Sequence, residues 1–189
     1  MVLSWLNVLY YLGVWREMSN PMRTGNPGPA SRPPAVAGHF YDVDPHRLEA
    51  EVGRLLASAP KPELPRRPKA LIVPHAGYLY SGQVAATGFA TVSRSTPPAC
   101  LVLIGPAHYV PFRGIAAPTV DAFETPLGPV SLDRDALQAI AGLPAVTFSD
   151  APHAPEHALE VEFPSCNGFC RALRPCRCWS ARRGRRRSR

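Results

Sequence analysis

Apolar residues recur at helical spacing over residues 44–58, DPHRLEAEVGRLLAS. The stripe consists of Leu48, Val52, Leu55 and Leu56. The preceding residues favour a helix start, because Asp44 can accept hydrogen bonds from free amides and Pro45 fits the first helical position. The pattern therefore predicts an amphipathic helix over residues 44–58.

Two longer runs of apolar residues lack any polar alternation: ALIVP at 70–74 and CLVLI at 100–104. Such runs are typical of strands that are covered on both faces. The other predicted elements are helices at 82–94 and 134–141, strands at 114–120 and 145–150, and a loop or hairpin at 124–133. The alternation predicts an α/β fold with a parallel or mixed central sheet and helices on both faces.

Each long apolar run leads into a turn that carries a histidine and a tyrosine. His75 and Tyr78 follow the first run, and His108 and Tyr109 follow the second. Ligands of open α/β sheets bind beyond the carboxyl ends of the strands, and neighbouring strand ends lie about 4.8 Å apart. Two imidazoles there could share a metal ion or a substrate, or each could make an ordinary loop hydrogen bond. The tyrosines could line a pocket or pack in the core.

A third group of polar residues lies in SDAPHAPEHALEVEFP and consists of Asp150, His153, Glu156 and His157. These residue types suit a transition-metal site or general acid–base chemistry, and all four are expected to line the same pocket. The segment 155–157 is typical of a helix N-terminus, where a carboxylate is favoured.

The net charge of +7 does not indicate a nucleic-acid-binding protein. Nine of the 21 Lys and Arg residues lie in 171–189, and removing these nine charges from +7 leaves residues 1–164 at −2. The sequence also lacks a glycine-rich phosphate-binding loop, so we expect no nucleotide cofactor.

The N-terminal segment 1–33 is predicted to be an extension and a Pro/Gly-rich lead-in, with translation starting at Met18 or a weak membrane-surface helix as the alternative. Its apolar stretch at 2–15 is shorter than the roughly 20 residues that span a bilayer, so no transmembrane anchor is expected. Cys100 is predicted to be a buried thiol. A reducing, cytoplasmic location is expected, since nothing in residues 1–164 indicates a disulfide framework.

Five segments resemble the MEMO family, the protein B component of the AmmeMemoRadiSam system. They are PAVAGHFYDVDPHRLEAEV, PHAGYLYSG, LIGPAHYVPFRGIA, TPLGPVSLD and EHALEVEFP, in the family's order over residues 34–164. The resemblance implies an α/β fold related to class III extradiol non-haem iron dioxygenases. It also implies a pocket in which two histidines and a cysteine bind iron or copper.

The resemblance assigns roles to three histidines of this chain. His75 and His108 match the family's metal ligands. His157 matches the histidine of a Glu-His-Ser motif and is expected to be the catalytic pocket residue, although Ala158 replaces the serine. The acid that some members carry three positions earlier is Ala154 here, for which Asp150 or His153 could compensate.

The tail at 165–189 departs from the family before the expected cysteine ligand. Its Cys and Arg residues could form a zinc site or a basic arm, but the cysteine spacing does not match paired Cys-x2-Cys ligands. Reading shifted codons restores the family's apolar order, which indicates a frameshift, a truncated domain at 34–164 and a disordered tail.

The sequence therefore predicts a metal-dependent, dioxygenase-like redox protein. The alternatives are a non-enzymatic module that binds a small molecule or peptide in the same pocket, and an inactive fragment. The resemblance further implies a functional link to radical-SAM and AMMECR1-type proteins.

Overall fold

The computed structural model describes residues 30–60, 64, 66, 68–93 and 101–166. Residues 1–29 of the predicted extension at 1–33, Cys100 and the tail from residue 167 onward lie outside the described residues. Two residues that the sequence placed in the tail, Ser165 and Cys166, are buried on a helical turn.

Two helices form the first layer of the fold. Helix α1 spans Pro45–Ser58 and begins as predicted, with the side chain of Asp44 accepting a hydrogen bond of 2.9 Å from the amide of Arg47. Helix α2 spans Tyr78–Ser93, so it begins earlier than the prediction. The early start has a local cause, because the carbonyl of Gly77 accepts the amides of Tyr80 and Ser81. The helices pack closely, since a Cβ on Gly82 would lie 3.0 Å from a Leu55 methyl.

Two small sheets follow. Strand β1 (Ser31–Arg32) pairs in parallel with β3 (Ala122–Phe123), which pairs antiparallel with β4 (Val130–Ser131). Strand β2 (Ile115–Ala117) pairs in parallel with β5 (Val146–Phe148) after helix α3 (Arg134–Ile140). A 3-10 helix at Glu160–Glu162 follows the strands. The predicted α/β class with mixed strand pairing is confirmed, and β1 extends the fold into the predicted lead-in.

The structure differs from the prediction at the two long apolar runs. Neither 70–74 nor the described part of the second run, 101–104, forms a β-ladder among the described residues; both are irregular. The run at 70–74 is buried on one side only, because Val73 is 2% exposed and Ile72 is 56% exposed. An apolar run reports burial, whereas a strand also needs a neighbouring backbone in register.

The core has two clusters that share α2. One cluster joins α1 and α2 to Tyr41 and Val161, and the other joins α2 to Val73 and Cys166. A buried ion pair of 2.5 Å between Arg32 and Glu160 ties β1 to the 3-10 helix. None of the helices in the described ranges is long and apolar enough to cross a membrane.

Candidate metal centre

Three histidines converge from three loops. His75 directly follows the irregular run at 70–74, three positions before the first residue of α2, and is buried. His108 lies in the loop that follows the second run, four residues after Ile104, and keeps 33% of its side chain exposed. His157 precedes the 3-10 helix, where its carbonyl accepts the amide of Val161, and its side chain is 12% exposed.

The imidazole rings of these histidines are in mutual contact. Ring centroids are 5.3 Å apart for His75 and His108, 5.7 Å for His75 and His157, and 4.6 Å for His108 and His157. One ligand atom from each residue lies within 4.8 Å of the other two. The predicted proximity of His75 and His108 is therefore observed, and His157 joins them.

The side chain of Glu156 contacts two of the three histidines, His108 and His157. Its carboxylate lies 2.9 Å from Nδ1 of His108 and accepts the amides of His108, His157 and Ala158. Burial alone would raise the pKa of Glu156, but the hydrogen bonds from His108, Ala158 and His157 outweigh burial and hold that pKa below its ordinary value. A negative charge therefore sits beside the imidazoles.

The imidazoles of His75 and His157 favour the neutral form. Burial lowers the pKa of both side chains, while the charge of Glu156 opposes the shift. The His108 imidazole lowers the pKa of each further, and His157 also lowers that of His75. Neutral imidazole is the form that binds a metal ion, so the site does not have to release a proton from these two rings near neutral pH.

The donor set fits a transition-metal ion. Within the described part of the chain, Nδ1 of His75 and Nδ1 of His157 are buried without a hydrogen-bond partner. Nδ1 of His157 lies 3.2 Å from Oε1 of Glu156, but the two atoms are not in hydrogen-bond geometry. Two nitrogens that share one ion at about 2.1 Å lie at most about 4.2 Å apart. The donor atoms, which lie within 4.8 Å of one another, therefore have to move closer together when an ion is bound.

The two predicted pocket tyrosines differ in their surroundings. Tyr109 is 56% exposed, and its ring contacts His157 at a centroid distance of 5.9 Å and His108 at 6.3 Å. Tyr78 is a core residue, since its hydroxyl donates a hydrogen bond of 3.0 Å to the carbonyl of Val161 and its ring contacts Tyr41. Of the two tyrosines, only Tyr109 has a ring contact with the three histidines in the described structure.

Asp150 and His153 make their contacts away from the three histidines. Asp150 accepts hydrogen bonds from the amide and hydroxyl of Thr119, and Nε2 of His153 lies 3.1 Å from the carbonyl of Ala116. These contacts hold the segment after β5 against β2. The helix predicted to begin at 155–157 begins later, since the 3-10 helix starts at Glu160, although the carbonyl of His157 already accepts the amide of Val161. Neither residue joins the three-histidine group, and a pocket role for them stays a prediction.

Sequence reasoning missed two residues that shape the site. The ring of Phe40 packs on His157 with centroids 4.8 Å apart. Arg32 donates a hydrogen bond of 2.5 Å to the carbonyl of Glu156. Phe40 lies within a segment that carries the family resemblance, but Arg32 has no local signal because its partners lie more than 120 residues away.

Comparison with known proteins assigns the family. The family model described as Memo-like protein matches residues 32–174. A MEMO1 family protein of Aquifex aeolicus is 37% identical over 140 residues, covering 74% of this chain and 51% of the relative. One of Ignicoccus hospitalis is 39% identical over 142 residues, covering 70% and 50%. One of Methanothermobacter thermautotrophicus is 37% identical over 149 residues, covering 73% and 52%.

The chain spans about half the length of these curated relatives. The matched region nevertheless includes all three converging histidines, Glu156 and both core clusters. On this evidence the chain belongs to the Memo-like protein family.

Proposed function

We propose that this chain binds one redox-active transition-metal ion, iron or copper, between His75, His108 and His157. The observation that carries the proposal is the convergence of three imidazoles from three separate loops. Imidazole suits iron and copper, whereas magnesium and calcium prefer oxygen ligands. The buried Nδ1 atoms of His75 and His157 have no hydrogen-bond partner among the described residues, which leaves donor capacity in the group for a metal ion.

The third donor differs from the one that the family resemblance implies. That resemblance implies two histidines and a later cysteine. The cysteine among the described residues, Cys166, packs with Val73 and Phe89 in the second core cluster. In this chain His157 is the third donor near His75 and His108. An all-imidazole group is a harder ligand set than one with a thiolate, which favours iron over Cu(I).

A bound iron or copper ion supplies a centre that can change oxidation state, and we assign the chemistry to the dioxygenase-like class. The protein residues hold and cover that centre. The ring of Phe40 packs against His157 at a tilt of 60°, and the half-exposed Tyr109 contacts His108 edge-on. A substrate would approach past Tyr109, since His75 is closed off by burial and His108 is exposed.

Metal analysis of the purified chain tests the proposal. The chain is loaded anaerobically with Fe(II), or separately with Cu(I), and freed of excess metal. We expect one ion per chain in the wild type and loss of that ion in His75→Ala. The matched control is His46→Ala, because His46 is exposed on α1 outside the three-histidine group. Equal metal content in wild type and His75→Ala would overturn the assignment.

The second candidate function is non-enzymatic binding of a peptide or partner. Leu79 and Tyr80 are 88% and 83% exposed at the start of α2, shortly after His75. Large exposed apolar side chains beside polar groups are typical of binding surfaces. This function requires no metal, so a wild-type chain that binds neither Fe(II) nor Cu(I) favours it over the metal centre.

A further inference from the structure

The carboxylate of Glu156 receives four hydrogen-bond donors from two loops. From one loop it receives the amide and Nδ1 of His108, and from the other the amides of His157 and Ala158. The side chain is 6% exposed, so these donors replace water almost completely. A buried carboxylate with this many charge-assisted hydrogen bonds is held in one position.

The contact with His108 selects one tautomer of that imidazole. An ionised carboxylate only accepts hydrogen bonds, so Nδ1 of His108 must carry the proton at 2.9 Å from Glu156. In a neutral ring the other nitrogen, Nε2, then has the free lone pair. His108 is thereby prepared to donate through Nε2 before any ion arrives.

The contacts with His157 and Ala158 fix a second ligand loop. Both amides bind the same Oε1 that faces Nδ1 of His108. Oε1 of Glu156 therefore links the ring of His108 to the backbone amides of His157 and Ala158, which lie about 50 residues later in the sequence. Displacement of Glu156 would release the His108 ring and the His157 backbone together.

We infer that Glu156 is a positioning residue that holds His108 in the Nδ1–H tautomer and holds His157 beside it for metal binding. This inference rests on the proposed metal centre but concerns a different residue. Groups that orient metal-ligating histidines commonly change metal affinity 10–100-fold when they are removed. The same order of effect is expected for Glu156.

The first experiment compares Fe(II) affinities of the full chain by anaerobic competition with a chromophoric chelator. Glu156→Gln keeps the size of the side chain but has a single acceptor oxygen, and its NH2 group would face the remaining donors. We expect about 10–100-fold weaker binding for Glu156→Gln. Glu162→Gln is the matched control, because Glu162 is equally buried on the 3-10 helix and lies outside the three-histidine group. Its affinity should stay within about twofold of the wild type.

The second experiment needs no metal, and its decisive measurement is made on the wild type. Long-range ¹H–¹⁵N NMR of the metal-free wild type reports which nitrogen of His108 carries the proton. We expect the Nδ1–H form in the wild type and a growing share of the Nε2–H form in Glu156→Gln. A wild-type His108 in the Nε2–H form would overturn the inference even if the variant did not fold.

The outcomes separate the inference from the proposed function. Fe(II) binding that is lost in His75→Ala but unchanged in Glu156→Gln leaves the metal centre standing and overturns the role of Glu156. A wild-type chain that binds neither Fe(II) nor Cu(I) overturns the metal centre and the metal-binding part of the inference. The tautomer measurement then decides the remaining part.

Discussion

The imidazole rings of His108 and His157 stack with their centroids 4.6 Å apart and their planes inclined by 20°. His75 lies against both rings. Adding protons to neighbouring buried rings would place like charges in contact, which a poorly solvated site resists. The close packing of the three imidazoles, which favours metal binding, therefore opposes their protonation in the metal-free chain.

The first prediction concerns stability below pH 6.5. The folded-state pKa values of His75 and His157 lie below the unfolded value of 6.5, so the unfolded chain binds protons first as the pH falls. The free energy of unfolding should therefore decrease below pH 6.5, by at most about 1.4 kcal/mol per pH unit for each such histidine. Urea unfolding at pH 7.5, 6.5 and 5.5 measures this slope.

The control for that slope is His75→Asn, which removes one titrating ring and should flatten the dependence. The comparison is best made in the Glu162→Gln background, because Glu162 contributes a slope of opposite sign in the same range. An identical slope in the presence and absence of the His75 ring would contradict the prediction.

The second prediction concerns Glu162, whose carboxyl is buried and has an unpartnered Oε2 in the described structure. Burial raises the pKa of Glu162 to about 8. The neutral carboxyl of Glu162 contributes fully to the free energy of unfolding below pH 4.5, the pKa of the unfolded chain. This contribution is lost as the pH rises through about 8. Glu162→Gln should match the wild type near pH 4.5 and exceed it by a few kcal/mol, to order of magnitude, at pH 8.

Chemical unfolding of both proteins at pH 4.5, 6 and 8 checks this difference. A constant difference between Glu162→Gln and wild type across the range would show that the carboxyl titrates normally in the folded chain. At pH 8, Glu162→Gln should therefore unfold at a higher urea concentration than the wild type.

The third prediction concerns the buried pair of Arg32 and Glu160. Glu160 also accepts the amides of Ala35 and Val36 and the hydroxyl of Tyr41, so its charge is held firmly in place. Arg32→Leu should lower the free energy of unfolding by about 3–5 kcal/mol, because it leaves that carboxylate without its cation. Denaturant unfolding measures the loss.

A double variant serves as the control for the ion pair. Removing both charges in Arg32→Leu with Glu160→Gln should recover part of the stability, since the cost of a buried unpaired charge disappears while the amide oxygen still accepts hydrogen bonds from the neighbouring donors. A single Arg32→Leu that stays within about 1 kcal/mol of wild type would mean that the pair adds little to stability.

The fourth prediction concerns the turn before β2. Gly114 has φ +89°, and an added Cβ would lie 2.3 Å from the carbonyl oxygen of Ala145, which accepts the amide of Ile115. Gly114→Ala should destabilise the fold by about 3 kcal/mol, because both the backbone conformation and a backbone contact oppose the methyl group.

Gly53→Ala is the matched substitution on helix α1. A Cβ there meets no other atom within 4 Å among the described residues. Alanine is favoured over glycine in a helix interior, so this variant should gain about 0.5–1 kcal/mol. Thermal unfolding of the two variants should move in opposite directions, and a shift of the same sign would contradict the structural distinction.

Local sequence was sufficient to predict the features that depend on local physics. Helix α1 follows from its apolar spacing, the Asp44 cap and Pro45, all within a few residues. The sequence left residues 124–133 as a loop or a hairpin, and in the structure this segment connects the antiparallel pair β3 and β4. The histidine that follows each long apolar run could also be identified from sequence, because His75 and His108 lie within a few residues of the ends of these runs.

The tertiary structure decided which of the remaining polar residues meet. Local spacing treated Asp150, His153, Glu156 and His157 as one group, but the fold sends the first two to β2 and the last two to His108. Arg32 and Glu160 also meet only across the folded chain. Sequence by itself determined helix α1 and the types of donor side chain, because both depend on residues that are close together in the chain. Packing decided the shared site, because contacts between distant loops depend on how whole elements bury their apolar faces.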